Sequence, residues 1–488
     1  MNNPHHSIFN KAMQLMQRGN FTGAELLLKQ MVKNTAKNSE ALKYLAIIAI
    51  KRGDQRGALE IIVRAIESDK RNSILHCIKG DIQQNLGIFN ESIESYLQAI
   101  KYNPIHEHAF NNLGNAYQLT GNNLNAVECY NKAISLNSKN PEFFCNLGNA
   151  LWKLERLEDA KKCYQTAISI APTHWNSLQN LAHLALRDFN FRAGWDWHES
   201  RWFTGNSDQP PYIKTSKPRW DGLPKDGRLL IWAEQGIGDQ ILYSSMLHDL
   251  AEYPQSLIVS IDKKLLTIFR RSFPLIQFID KKSNFSEELY DEHIPMGSLG
   301  SILRPDIKSF ENTKYPYLYV SDSLNTDFKG HISCGLSWRS SAVKLGAAKS
   351  VPLAEMEAVL TLNNINYINL QYGDVGNEIS SINSRIGIKI RTIQDVDLYN
   401  DIEGVLKILD ACSIVITTSN TTAHLAGALG KETLLLLPYG NARFWYWHDI
   451  DGVSLWYPSI KVFKQENPGD WSAPIEAVKA YLEKRFEI

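Results

Sequence analysis

Phe110-Asn-Asn-Leu-Gly-Asn-Ala-Tyr117 returns 34 residues later as Phe144-Cys-Asn-Leu-Gly-Asn-Ala-Leu151. Each copy is followed by a small residue and an aromatic one, Ala126 with Tyr130 and Ala160 with Tyr164. Outward at the same interval, a small residue stands at Ala12, Ala46, Gly80, Gly114, Gly148 and Ala182, and Pro104 and Pro172 fall at repeat ends. Small residues in fixed register let two helices approach closely, and aromatics fill the gap between neighbouring pairs. Each repeat therefore buries its apolar face only by stacking on the next. The period predicts an all-α solenoid over 1–185, five to six repeats long, with a concave groove. The first repeat is weak (Ile8, Ala12, Ala24, Leu28) and the sixth fades after Ala185, as end caps do.

The interval is that of the tetratricopeptide repeat, which this array resembles. Two residues before the small position, the last three repeats carry Asn112, Asn146 and Asn180. An amide donates and accepts, so such a ladder can pair with the backbone of a peptide without reading its sequence. It is similar to the asparagine ladder of O-linked N-acetylglucosamine transferases, which implies a protein acceptor in the groove. The alternative is that Asn is merely tolerated on a solvated face.

Lys plus Arg equals Asp plus Glu, 52 each, which leaves no global basic field for nucleic acid or an anionic membrane. The 44% hydrophobic and 21% charged residues suit a folded chain of several domains. The start of the chain has no signal-peptide pattern and no apolar run approaches a membrane span, so a cytoplasmic protein is expected. Six cysteines without a C-x-x-C pair suit reduced thiols.

Five tryptophans follow between Trp195 and Trp232, and a capping helix and linker are expected over 186–225, with the rings as interdomain core. Beyond them short apolar runs alternate with amphipathic helices, the pattern of βαβ units. One lobe is expected over 226–325, with strands at 228–233, 257–261 and 277–279. A second spans 326–488, with strands at 332–338, 367–371, 413–417 and 433–437. In such doubly wound lobes ligands bind at the carboxyl ends of the strands.

Four loops at those ends carry candidate chemistry. In Trp232-Ala-Glu-Gln-Gly-Ile-Gly-Asp239, Gly236 and Gly238 suit a tight turn, and Asp239 reads either as a helix N-cap or as a base for an attacking hydroxyl. Gly335-Leu-Ser-Trp-Arg339, with Lys344 and Lys349-Ser-Val-Pro-Leu353, reads as cations for a leaving diphosphate or as solvated charge. Gln371-Tyr-Gly-Asp374 is either a nucleoside contact or an ordinary turn. In Thr417-Thr-Ser-Asn-Thr-Thr-Ala-His424, the residues Ser419, Asn420, Thr421 and Thr422 converge on a helix N-terminus, an anion site that needs no metal. His424 belongs to no zinc-type array and is assigned to phosphate or sugar hydroxyls. Asp395-Val-Asp397 and Asp449-Ile-Asp451 read as loop acids, so no metal and no other cofactor is expected.

Together, Gln-Gly-Ile-Gly-Asp239, Gly-Leu-Ser-Trp-Arg339, Lys349-Ser-Val-Pro-Leu and the segment Ala423 to Gly430 resemble the heptosyltransferase-type GT-B glycosyltransferases, in the bacterial branch fused to tetratricopeptide repeats. The resemblance implies two Rossmann-like lobes, a nucleotide-sugar donor, Asp239 as base, Lys349 on donor phosphate and the loop before His424 on the diphosphate. It also implies an inverting, metal-independent enzyme. Relatives commonly carry Asp-Thr-Ala where this chain has Ser419-Asn420-Thr421, so one donor-binding carboxylate is missing. The expected reaction moves a sugar to Ser or Thr of a protein held by the repeats, with flagellin or another surface protein as acceptor by analogy. The rivals are a non-catalytic scaffold with a sugar-nucleotide-sensing domain, a transferase acting on a glycan or lipid, and a hydrolase or epimerase using Glu234 as second acid.

Overall fold

The computed structural model describes residues 4–34, 38–205, 212–311, 313–322, 332–341 and 345–488. The chain divides into two compact units, 1–177 and 178–488, and the division falls inside the helix Trp175–Arg187, ahead of the expected solenoid end at 185. The expected cation Lys344 lies outside the described residues. Among the described residues no helix is long and apolar enough to cross a membrane.

The first unit is a run of paired helices, of which Glu107–Leu119 with Asn123–Leu136 and Pro141–Lys153 with Leu157–Ile170 are typical. Between the helices of a pair the backbone turns left-handed at Gly53, Gly87 and Gly121 (φ +82°, +77° and +82°). That conformation suits glycine, and the fifth repeat holds it with Glu155 instead. A Cβ on Gly80, Gly114 or Gly148 would lie 2.6, 2.6 or 2.5 Å from the ring of Tyr96, Tyr130 or Tyr164. The aromatics thus fill the seam within their own repeat, where the sequence had placed them between repeats. Their hydroxyls donate to Asp81, Asn115 and Asn149 at 2.7, 2.7 and 2.8 Å.

Where the small residue is Ala12 or Ala46, the residue at the tyrosine's position is Leu28 or Ile62, so the extra methyl is matched by a smaller partner. Gly114→Ala should therefore cost about 1–2 kcal/mol, overpacking outweighing the gain in helix propensity. Urea unfolding should show a smaller cost in a Tyr130→Leu background. Equal costs in both would mean that the ring does not sense the methyl.

The asparagine ladder is not a row of unoccupied amides. Asn112 donates to Asp81 at 2.9 Å, Asn111 donates to Asn112 at 3.1 Å, and Asn146 donates to Asn111 at 3.0 Å. The amides of Asn112 and Asn146 thus tie successive repeats together through one N–H each, and both residues are half-buried. Asn180 falls in the second unit and is half-buried.

The second unit contains two sheets. The first has the order β3-β2-β1-β4 and is parallel throughout: β1 Arg228–Trp232, β2 Ser256–Ile261, β3 Gln277–Asp280 and β4 Glu292–Pro295. The second comprises β5 Ile332–Ser337, β6 Ile365–Asn369, β7 Ile414–Thr418, β8 Thr433–Leu437, β9 Asp449–Ile450, β10 Val453–Ser454 and β11 Ile460–Lys464. Its order is β6-β5-β7-β8-β11-β10-β9, parallel as far as β11 and antiparallel beyond. Central strands such as Ile-Val-Ile-Thr-Thr are buried along their whole length, as parallel strands covered on both faces must be.

One apolar cluster runs from Leu229 and Ile231 of the first sheet to Val415, Leu435 and Leu437 of the second. The two sheets therefore share a core instead of meeting only across solvent. The last helix, Ser472–Phe486, buries Ile475, Val478 and Leu482 in the other cluster, with Leu336 and Leu434.

Candidate functional site

The strand β1 ends at Trp232, and the helix Ile237–Ser244 starts five residues on, with Gly236 as its N-cap. Asp239 is thus the third helical residue, not the cap. Its Oδ2 accepts the Gly236 N–H at 3.2 Å, so one carboxylate oxygen closes the turn. Gly236 is extended (φ −69°, ψ 172°), a conformation open to any residue. Gly238 serves close approach rather than a tight turn, because a Cβ there would fall 2.8 Å from His424 Cδ2. Burial pushes the Asp239 carboxyl up to about 6; the Gly236 N–H and Lys349 oppose the rise and Glu234 adds to it.

Glu234 is spoken for. Its Oε1 meets Arg201 Nη2 at 3.0 Å and accepts the Gly297 N–H at 3.1 Å, with the Arg201 and Glu234 side chains only 2% and 1% exposed. Arg201 also holds Glu199 and Ser298, at 2.9 and 2.8 Å. An acid so tied is a poor second catalytic group for a hydrolase or epimerase. Arg201 arrives from the tryptophan-rich segment, where Trp195 Nε1–H donates to the Arg304 carbonyl at 2.8 Å and the Trp195 ring packs on Gly300. Trp195, Trp202, Trp220 and Trp232 are buried within the second unit, and Trp197 is half-buried.

Across the shared core, β7 runs into the helix Thr421–Ala428, capped by Asn420, whose Oδ1 accepts the Ala423 N–H at 3.3 Å. The Asn420 amide donates to Ser337 at 2.8 Å and to the Arg339 carbonyl at 3.2 Å, and Ser419 accepts the Trp447 indole N–H at 2.8 Å. Ser419 and Asn420 therefore brace the end of β5 and an aromatic run instead of standing open to a donor. Thr421 and Thr422 line a cleft of about 690 Å³ with Ile237, Lys264, Ser341 and Tyr372.

His424 is 3% exposed, with Nδ1 2.9 Å from the Tyr457 hydroxyl and its ring 4.7 Å from that of Trp447. Burial, with Lys349 nearby, pushes it down to about 3, so it is uncharged at neutral pH and packs the joint between the sheets. That replaces the phosphate role expected of it.

Lys349 is buried, and its Nζ lies 3.3 Å from the centroid of the Phe444 ring. Burial pushes the ammonium down to about 8 while Asp239 holds it up, so the pair is electrically linked. Gln371 accepts the Arg339 N–H at 2.7 Å and donates to the Tyr372 carbonyl at 3.2 Å, which fastens two strand ends together, and it lines a concavity there with Asn369, Tyr372 and Asp374. Arg339 is 40% exposed, 3.4 Å from Glu378. Asp397 accepts the Tyr399 and Asn400 N–H groups, and Asp449 pairs with Lys464, so both acids structure turns.

Sequence reasoning missed Lys264, whose Nζ sits 4.2 Å from the Tyr399 ring and donates to the Tyr399 carbonyl at 3.0 Å, linking the two halves of the cleft. It also passed over Phe444, Trp445, Tyr446 and Trp447, an aromatic string that was legible as a packing surface for the charged pair.

Sequence profiles of the tetratricopeptide repeat match residues 75–106, 119–155 and 141–174, and the N-terminal region is an array of such repeats. Over 59% of its length the chain is similar to Protein FlbA of Caulobacter vibrioides, 28% identical over 316 residues and covering 52% of FlbA. The chain thus spans about half the length of that curated relative. Among solved structures, PilF of Pseudomonas aeruginosa matches at 20% identity and a TM-score of 0.38, over 41% of this chain and 93% of its own. The MamA protein matches at 21% and 0.32, over 36% of this chain and 94% of its own.

Proposed function

We propose that residues 178–488 are a glycosyltransferase of the GT-B type and that the repeats present a polypeptide acceptor to it. Tetratricopeptide repeats mediate protein–protein contact in general, which suits a protein acceptor better than a glycan or lipid. The observation that carries the reading is Asp239, electrostatically linked to Lys349 and two residues from Ile237 on the wall of a cleft at the carboxyl ends of parallel strands. The carboxyl is raised to about 6, into the range useful for a base at neutral pH.

In the proposed reaction a Ser or Thr hydroxyl gives its proton to Asp239 while its oxygen bonds to the anomeric carbon. The bond from that carbon to the donor phosphate breaks with its electron pair, and Lys349 with the Thr421 and Thr422 hydroxyls meets the charge on the departing phosphate. Ser419, Asn420, Gln371 and His424 support these groups from behind. No metal or cofactor is assigned a step.

The test is incubation with UDP-, GDP-, ADP- and CMP-activated sugars, with and without a dialysed extract of the source cells, reading free nucleotide. Release that requires extract protein supports the transferase. Saturable donor binding with no release supports the scaffold instead, a reading favoured by the internal engagement of Ser419 and Asn420.

A further inference from the structure

A second concavity, of about 820 Å³, opens at the carboxyl ends of β1, β2 and β3, between Trp232, Ser260 and Lys281, with Tyr212, Phe285 and Lys282 around it. It shares no residue with the cleft at Thr421 and Thr422. The two flank one turn: Ala233 and Glu234 border this concavity and Ile237 borders the cleft, with Asp239 two residues further along the helix that Ile237 begins. Ligands in the two spaces would meet at that turn.

The chemistry of the walls is specific. Trp232 stacks edge-on with Tyr212 at 5.3 Å, and its indole N–H donates to His293 at 3.1 Å, so the indole's polar edge is already satisfied. The carboxylate on the wall, Glu234, is neutralised by Arg201. Lys281 reaches an acid only at 3.8 Å, from Asp262, and Lys282 is exposed with no ion pair among the described residues. The result is an aromatic recess with two lysines on its rim, Lys282 without an ion pair among the described residues and Lys281 only distantly paired, complementary to an apolar side chain beside a carboxylate.

We propose that this recess selects the acceptor: a polypeptide segment whose aromatic or large aliphatic side chain enters beside Trp232, Tyr212 and Phe285, with a neighbouring Asp or Glu on Lys281 and Lys282. The inference rests on the transferase reading and names the acceptor class for it.

Four labelled octapeptides, each with a central Ser flanked by Phe-Asp, Phe-Lys, Gly-Asp or Gly-Lys, test it by fluorescence anisotropy with the full chain and no donor. Phe-Asp should bind tightest, about tenfold over Phe-Lys. Lys281→Glu with Lys282→Glu should reverse that order, while Lys264→Glu, in the other cleft, should leave it unchanged. Equal binding of all four, an order that survives the charge reversal, or one altered by Lys264→Glu would overturn the proposal. Because the readout needs no sugar nucleotide, a failed ranking is distinguishable from a failed transfer assay, and circular dichroism checks the fold of these surface variants.

Discussion

Sugar transfer in Asp239→Asn should fall about a thousandfold, the usual loss when a positioned base is removed, with sugar-nucleotide affinity changed less than about threefold. Asparagine can still accept the Gly236 N–H that Asp239 accepts at 3.2 Å, so the turn should survive. Asp239→Ala lacks that acceptor and should lose stability as well. In the wild type, transfer should rise with pH through about 6, because only the ionised carboxyl takes the proton. The stability effect runs the other way. Burial raises the folded carboxyl from 3.8 to about 6, so its contribution to stability is present at low pH and lost as pH rises through about 6. Asp239→Asn should therefore melt above wild type at pH 8, by about 2 °C, with the gap closing towards pH 4. An inactive variant that melts higher cannot owe its inactivity to unfolding. Transfer that persists in Asp239→Asn would sink the base assignment.

What the sequence disclosed and what it hid follow from the range of the interactions. The repeat was legible because Gly114 and Tyr130 are close in sequence and the same spacing recurs. Central strands such as β7 and β8 were legible because both faces are buried and every residue is apolar or small. The strand β4, Glu-His-Ile-Pro, was not: half its residues are polar, and they are placed by the neighbouring β1 and not by their own pattern. The strand β11, which lies between β8 and β10, was missed for the same reason, since Lys461 and Lys464 interrupt its short apolar run. At the site, Asp239 and Lys349 could be picked out by type and position. The roles of Ser419, Asn420 and Gln371 could not, because their partners Trp447, Ser337 and Arg339 lie 28 to 83 residues away. His424 was misread because a histidine's charge depends on burial, which the local sequence does not express.

Arg201→Met should destabilise the second unit by about 3–5 kcal/mol, the cost of leaving a buried carboxylate without its partner. Thermal or urea unfolding followed at Trp fluorescence would read it. The reason is the depth of the pair: Glu234 is 1% exposed, and burial raises its carboxyl against the pull of Arg201. With the guanidinium gone, that carboxyl rises further and takes up a proton in the folded state. Such a group stabilises below its unfolded value and loses that contribution as pH rises, so the deficit should be larger at pH 8 than at pH 5. Glu199 is less exposed to this loss, because Arg219 still meets it at 2.8 Å. Arg201→Met with Glu234→Gln should therefore recover part of the stability, since the double change removes both halves of the deeper pair. A cost below about 1 kcal/mol in the single variant would put the pair among surface ion pairs. A full cost would make the tryptophan-rich segment part of the first sheet's fold and not a linker, since Arg201 and Trp195 both bind there. On that outcome a fragment beginning at residue 226 would lack a partner for Glu234 and should not fold, whereas one beginning at 178 should.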